Sequence, residues 1–290
     1  MNAIMTIQIA AIARNTFTEL VRQKVFYIIL VFALCAIGSS ALMARLTFQE
    51  EFQMLKDVCL GAMSIFTSLL AILATAGFLP KDLEERSIYS LLSKPVPRFV
   101  YLLGKLAGII LLLLLFTLLM SVVFCLVLWL RERSVLAETR EQFTSGPSDE
   151  LTAALKAITD ATFNINLLPG ILVIFVKSAL LASLTLLIST FATSSLFTVM
   201  IAAAVYFIGH LQSTARAYWL QGVEIKWWTR VVVGLIALLF PDLQTFNLAD
   251  DVIAGASIPL GIFLETFALG WLYVGVYFAV AAFIFAGREL

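Results

Sequence analysis

The sequence predicts an all-α integral membrane protein. It has six transmembrane helices, an N-terminal interfacial helix, a cytosolic helix between spans 2 and 3, and an outer re-entrant hairpin between spans 5 and 6. Three observations carry this. The 290 residues are 61% hydrophobic and 13% charged, against roughly half and a quarter in soluble domains. The mean hydropathy is +1.01. Six apolar runs also approach or exceed the ~20 residues that a helix needs to cross a bilayer. The chain is expected to form one membrane domain over residues 1–290, with no room for a large soluble one. Net charge is zero, so no basic footprint points to nucleic acid; the lipid bilayer is the expected surrounding.

Residues 3–23 read as a helix lying flat on the leaflet. Gln8, Asn15, Glu19 and Arg22 share one stripe, with Phe17, Leu20 and Val21 roughly opposite. The alternative is that this stretch extends the first span. It is not a secretion signal, because Arg14 follows the apolar run and no basic stretch precedes it. The spans are 25–44, 58–79, 101–130, 168–192, 196–211 and 265–286. The outer loop 131–166 contains a short helix, capped at Ser148 with Asp149 and Glu150 in its first turn. The run 231–240 is too short to span, and Pro241 breaks it, so 231–247 reads as a re-entrant segment.

Orientation comes from the basic residues near the span ends. Arg14, Arg22, Lys24, Lys81, Arg86, Lys94, Arg98 and Arg288 fall on one side in short segments. The opposite side carries Arg45, Lys56, Arg131, Arg133, Arg140, Lys156, Arg216, Lys226 and Arg230, mostly in long loops diluted by acids. Both termini are therefore expected in the cytosol.

The segment between spans 2 and 3 is the most informative. Asp82, Glu84, Glu85 and Arg86 form a charged turn, and Ile88, Leu91 and Leu92 an apolar stripe at helical spacing. Pro95 and Pro97 end that helix, 82–94, and Arg98 follows at the lipid headgroup level. Such an amphipathic element can pass a push from a soluble partner to the spans. An ordinary solvated loop with basic anchors is the plainer reading of the same residues.

The run Leu91-Leu92, Pro95-Val96, Arg98, Leu103-Gly104-Lys105 resembles the signature of ABC-2-type permeases, the membrane subunits of ATP-binding-cassette exporters. In layout the resemblance extends over the whole chain. The N-terminal helix resembles the family's connecting helix. Phe240-Pro241-Asp242 through Phe246-Asn247 resembles the break in its outer hairpin, and Gly287-Arg288-Glu289-Leu290 its cytosolic ending. The branch containing the permease of nitrous-oxide-reductase maturation is the most similar. The resemblance implies a multi-pass permease of the inner (cytoplasmic) membrane. It pairs with a second permease chain, identical or not, and is driven by two separate ABC ATPase subunits. Asp82, Glu84, Glu85, Arg86, Ile88, Leu91, Leu92, Pro95 and Arg98 would form the ATPase-coupling surface. ATP and magnesium would sit on the partner ATPase, with no cofactor in this chain. No GxxxxGK[ST] loop is present, so the chain is not expected to be an enzyme by itself.

Lys177 is the one clear charge deep in a span, roughly 12 Å below its outer end by helix rise. An ammonium there costs about 2.5–3.5 kcal/mol on insertion scales. Neighbouring leucines and isoleucines, at about −0.3 to −0.6 kcal/mol each, offset that cost. Snorkelling to the outer interface, or pairing with a backbone carbonyl, is preferred over a place on the substrate path or dimer seam. Ser64, Thr67 and Ser68 could line that path, but small residues such as these, with Gly61, Ala71, Thr75 and Gly77, more often serve close helix packing. His210 reads as interfacial, near the end of its span. Trp219, Trp227 and Trp228 fit an outer aromatic belt, and Asp250-Asp251 a solvated loop. Cys35, Cys59 and Cys125 read as buried thiols with no CxxC pair. HExxH and GxSxG are absent, and with one histidine a metal site is not expected. Two rivals stand beside the exporter. An ion-coupled secondary transporter needs ionisable groups or broken helices at the midplane, and a membrane scaffold needs no transport cycle.

Overall fold

The computed structural model describes residues 2–44, 51–78, 97–142, 148–163, 166–220, 241–247 and 259–287. Among these the regular structure is helical, with no strand. The helices are α1 (Asn2–Arg22), α2 (Lys24–Ala44), α3 (Glu51–Ala76), α4 (Arg98–Gln142), α5 (Ser148–Thr162), α6 (Leu167–Phe191), α7 (Ser195–Leu220) and α8 (Leu260–Gly287). By length and composition α3, α4, α6, α7 and α8 can each cross a membrane, and α2 makes a sixth when joined to α1 as one bent pair.

That bend is 63°, so α1 is not a straight extension of the first span. It sits at Gln23, where Gln23 N donates to Leu20 O at 3.1 Å and Phe26 N to Gln23 O at 3.1 Å. Ala13, Thr16 and Leu20 turn inward, while Arg14, Asn15 and Arg22 are exposed. The inward face lies on α4, and two glycines make the approach close. A Cβ on Gly104 would lie 2.7 Å from the Ile12 side chain, and one on Gly108 would lie 2.7 Å from the Ala13 carbonyl oxygen. Gly104 of the signature run is thus a contact point between α1 and α4.

Three helices extend beyond the spans read from the sequence. The third span does not end near residue 130; α4 continues as helix to Gln142, a total of 45 residues. Residues 131–142, expected as loop, are rich in arginine, glutamate, leucine and alanine. These are good helix formers, and no glycine or proline intervenes before Gly146-Pro147. The apolar stretch of the fifth span ends at Gln212, close to the expected 211, while its helix, α7, continues to Leu220. The second span begins earlier than residue 58, since α3 starts at Glu51. In the last third of α4, Arg133 lies over the Trp129 ring at 3.8 Å, a favourable cation–aromatic contact.

The bundle is organised around α6, which touches α3, α4, α7 and α8. Every residue from Val173 to Leu186 is buried, as befits a helix that is apolar all round. Its hydroxyls bond back to their own helix: Ser178 to Phe175 O, Ser183 to Leu180 O, Thr185 to Leu181 O and Ser189 to Leu186 O, all at 2.7–2.8 Å. They need no partner across the interface. On α8, Gly270 leaves the space that Val176 and Phe246 occupy.

The cytosolic helix 82–94 and Pro95 lie outside the described residues. So do Trp227, Trp228, Arg288, Asp250-Asp251 and the 231–240 part of the re-entrant segment.

Candidate functional site

Lys177 lies at the middle of α6 and is 2% exposed. Its ammonium does not snorkel, nor does it bond a backbone carbonyl as expected. It points into the bundle and donates to Ser64 Oγ of α3 at 3.0 Å. Its Nζ also lies 3.1 Å from His210 Nε2 of α7. The other histidine nitrogen settles the tautomer. Nδ1 is 3.0 Å from the Tyr206 carbonyl oxygen. A carbonyl only accepts, so Nδ1 carries the hydrogen and Nε2 receives the lysine's. His210 is therefore the acceptor that orients a buried cation.

The Tyr206 ring lies over His210 at 4.3 Å between centroids, and its hydroxyl is within hydrogen-bonding reach of Ser68. Ser68 also donates to Ser64 O at 2.7 Å. Thr67 stands apart: fully buried, it donates to Met63 O at 2.6 Å, a bond within its own helix. Of the four residues expected on the path, the structure joins Lys177 to Ser64, places Ser68 one turn away beside Tyr206, and leaves Thr67 outside. Close packing holds for Thr67, Ser68, Ala71 and Thr75, all buried. It fails at Gly61 and Gly77, where an added Cβ would meet nothing within 4 Å.

One side of the cluster is closed by a turn. Leu243 N donates to Gly209 O at 3.1 Å. A Cβ on Gly209 would lie 2.7 Å from Leu243 Cγ and 3.0 Å from Pro241 O, so a side chain there would push the turn away. Asp242 Oδ1 accepts from Gln244 N at 3.1 Å, a side-chain-to-backbone turn bond. Leu243 and Phe246 are buried. The break after Pro241 is thus a docked turn, and Asp242 is near enough for its charge to act on His210. Among the described residues no carboxylate pairs with Lys177, and no group of three His, Cys, Asp or Glu could hold a metal.

A second cluster lies where α4 begins. Arg98 does not simply face headgroups. Its Nη1 donates to Phe285 O at 3.2 Å and Ala286 O at 3.0 Å, carbonyls in the last turn of α8. Those carbonyls have no partner within their helix, and a cation there is favourable. Tyr101 stacks on Phe285 at 6.3 Å, and Phe99 meets Phe278 edge-on at 5.2 Å. Lys105 lies over Phe78 at 4.4 Å. The first residue of α4 is therefore fastened to α8, the last described helix.

The family model described as ABC-2 family transporter protein matches residues 10–290. The chain belongs to that family. No curated protein matches it. Permeases of this family are multi-pass membrane components of ABC transporters, generally not catalytic themselves, and generally work with ATP-binding subunits. The permease thus holds two clusters, one around Lys177 and one around Arg98. Both bind and position.

Proposed function

We propose that the permease is the membrane half of an ATP-driven exporter in the cytoplasmic membrane, with both termini in the cytosol. Two permease chains pair, and two separate ATPase subunits, carrying ATP and magnesium, dock on the cytosolic side. Helix 82–94 receives their closure. Asp82, Glu84, Glu85 and Arg86 supply its charged turn, and Ile88, Leu91 and Leu92 its apolar stripe. Pro95 stops the helix, and Arg98 passes the movement on.

The observation that supports this reading best is the fastening of Arg98 to Phe285 O and Ala286 O. A displacement of the segment before α4 would reach α8 directly, and α8 packs on the central helix α6. An ordinary surface loop needs no such connection.

The test is co-expression of the permease with ATPase subunits encoded beside it, followed by co-purification and ATP hydrolysis in lipid. Glu84→Lys with Glu85→Lys should release the ATPase, or cut permease-dependent hydrolysis at least about tenfold, the range of a lost charge-assisted contact. The spans should stay folded by thermal melting. Full hydrolysis by that variant would rule out the coupling role, and failure of any ATPase to associate with the parent would rule out the exporter.

A further inference from the structure

We propose that Lys177, Ser64 and His210 form a binding site for the anionic group of an amphiphilic substrate, reached through the seam between α3 and α7. The proposal rests on the transport reading above and names the substrate class for it. The first argument is charge. Ser64 Oγ and His210 Nε2 are both neutral acceptors. They occupy two of the three ammonium hydrogens and leave the positive charge unmatched. A buried cation is normally met by an anion.

The second argument is where that anion comes from. Lys177 sits ten residues into α6. Neither α2 nor α7 contains an acidic residue, and α4 has none before Glu132. Asp57 of α3 is seven residues short of Ser64, and Glu265 of α8 is exposed near the start of its helix. Asp242, on the turn beside His210, accepts from Gln244 N and makes no ion pair with Lys177, so among the described helices a second copy has no mid-span carboxylate to lend. The counter-charge belongs to a ligand.

The third argument is access. Lys177 is covered, but Ser64, Tyr206 and His210 are each half-buried. One turn from Ser64, Gly61 leaves open space where other residues would carry a side chain. Ile65, Phe207 and Ile208, on the same two helices, are all exposed. A charged point with an apolar surround fits a molecule with an anionic head and a hydrocarbon body, more than a free ion. Ser64 spends its lone pair on Lys177 and keeps its own hydrogen, so an incoming oxyanion meets an ammonium and a hydroxyl donor together. The histidine need not move, because Tyr206 O already holds its tautomer.

The experiment uses the full chain in phosphatidylcholine nanodiscs, without ATPase. The probe is an 18-carbon lysophosphatidate. The comparators are lysophosphatidylcholine of the same chain length and inorganic phosphate. Lysophosphatidate should bind the parent. Lys177→Met should weaken that binding at least about tenfold, as loss of a charge-assisted contact predicts, and Lys177→Arg should restore most of it. Equal binding to the Met variant, or no binding to the parent, overturns the proposal. Phosphate binding as tightly as lysophosphatidate would make this a bare-anion site and overturn the amphiphile. Lysophosphatidylcholine binding as tightly, with no loss in the Met variant, would reduce the site to its apolar rim. A parent that binds nothing but loses its dimer on Lys177→Met would assign the cluster to the chain–chain seam instead. Since no ATPase is present, these outcomes stand apart from the fate of the coupling reading.

Discussion

Lys56 and Lys177 are both buried lysines within helices that can cross a membrane, 3% and 2% exposed. Lys56 donates to Ala161 O at 2.6 Å, in the last turn of α5. A helix end carries partial negative charge on its unpaired carbonyls, so this ammonium finds both a hydrogen-bond acceptor and a counter-field. It fixes α5 against α3. Lys177 hydrogen-bonds only neutral side chains, Ser64 and His210. The same residue type thus does two different things. Where the backbone supplies the counter-charge, lysine is a clamp. Where it does not, the charge is held in readiness for something else.

The sharpest way to break this comparison is to remove each ammonium in turn. Lys56→Met orphans a carbonyl at a helix end and should cost about 1–3 kcal/mol, read as a lower melting temperature in detergent. Lys177→Met removes a charge that costs about 2.5–3.5 kcal/mol to bury on insertion scales, so its melting temperature should stay level or rise. If Lys177→Met is the more destabilised of the two, Lys177 is also a clamp and the contrast collapses.

A smaller effect tests the turn that closes the cluster. Gly209→Ala places a methyl against Leu243 and the Pro241 carbonyl oxygen. Overpacking of this kind costs about 1–3 kcal/mol; relief by bending of the Leu243 side chain puts the expected loss at the low end. The structural readout is faster protease cleavage near residues 241–247, with Gly38→Ala, which meets nothing within 4 Å, as the matched control. Equal cleavage of the two variants would mean that the turn does not depend on Gly209. The smallest change is Ser64→Ala. It removes one of two acceptors from Lys177 and should shift stability by no more than about 1 kcal/mol. A larger loss would make Ser64 part of the packing between α3 and α6 rather than of a site.

The layout was readable because lipid demands long apolar runs, and these stand out in any window. Helix ends are less legible, because charged residues occur in solvated helix as well as in loops. Arg131, Glu132, Arg133, Glu138, Arg140 and Glu141 all continue α4, since arginine and glutamate favour helix wherever water is available. His210 lies two residues before the end of the apolar stretch of α7, Ser195–Gln212, and sequence position alone does not show that its ring meets Lys177. Lys177 itself was legible as a mid-span cation. Its partners were not, because 33 and 113 residues separate them from it, and no local pattern records such a meeting. Gly104 was legible only as a letter in a signature. Its physical reason is the side chain of Ile12.

The length of α4 carries a mechanical consequence. At 1.5 Å per residue its 45 residues form a rod about 67 Å long, more than twice the ~30 Å hydrocarbon core. Its first residue, Arg98, is tied to the end of α8, and toward its other end it packs against α5. A rigid lever of that length turns a tilt of about 5° at its root into a swing of roughly 6 Å at its tip. A small rotation beneath the membrane would therefore arrive above it as a shift one helical turn in size, with no hinge in between.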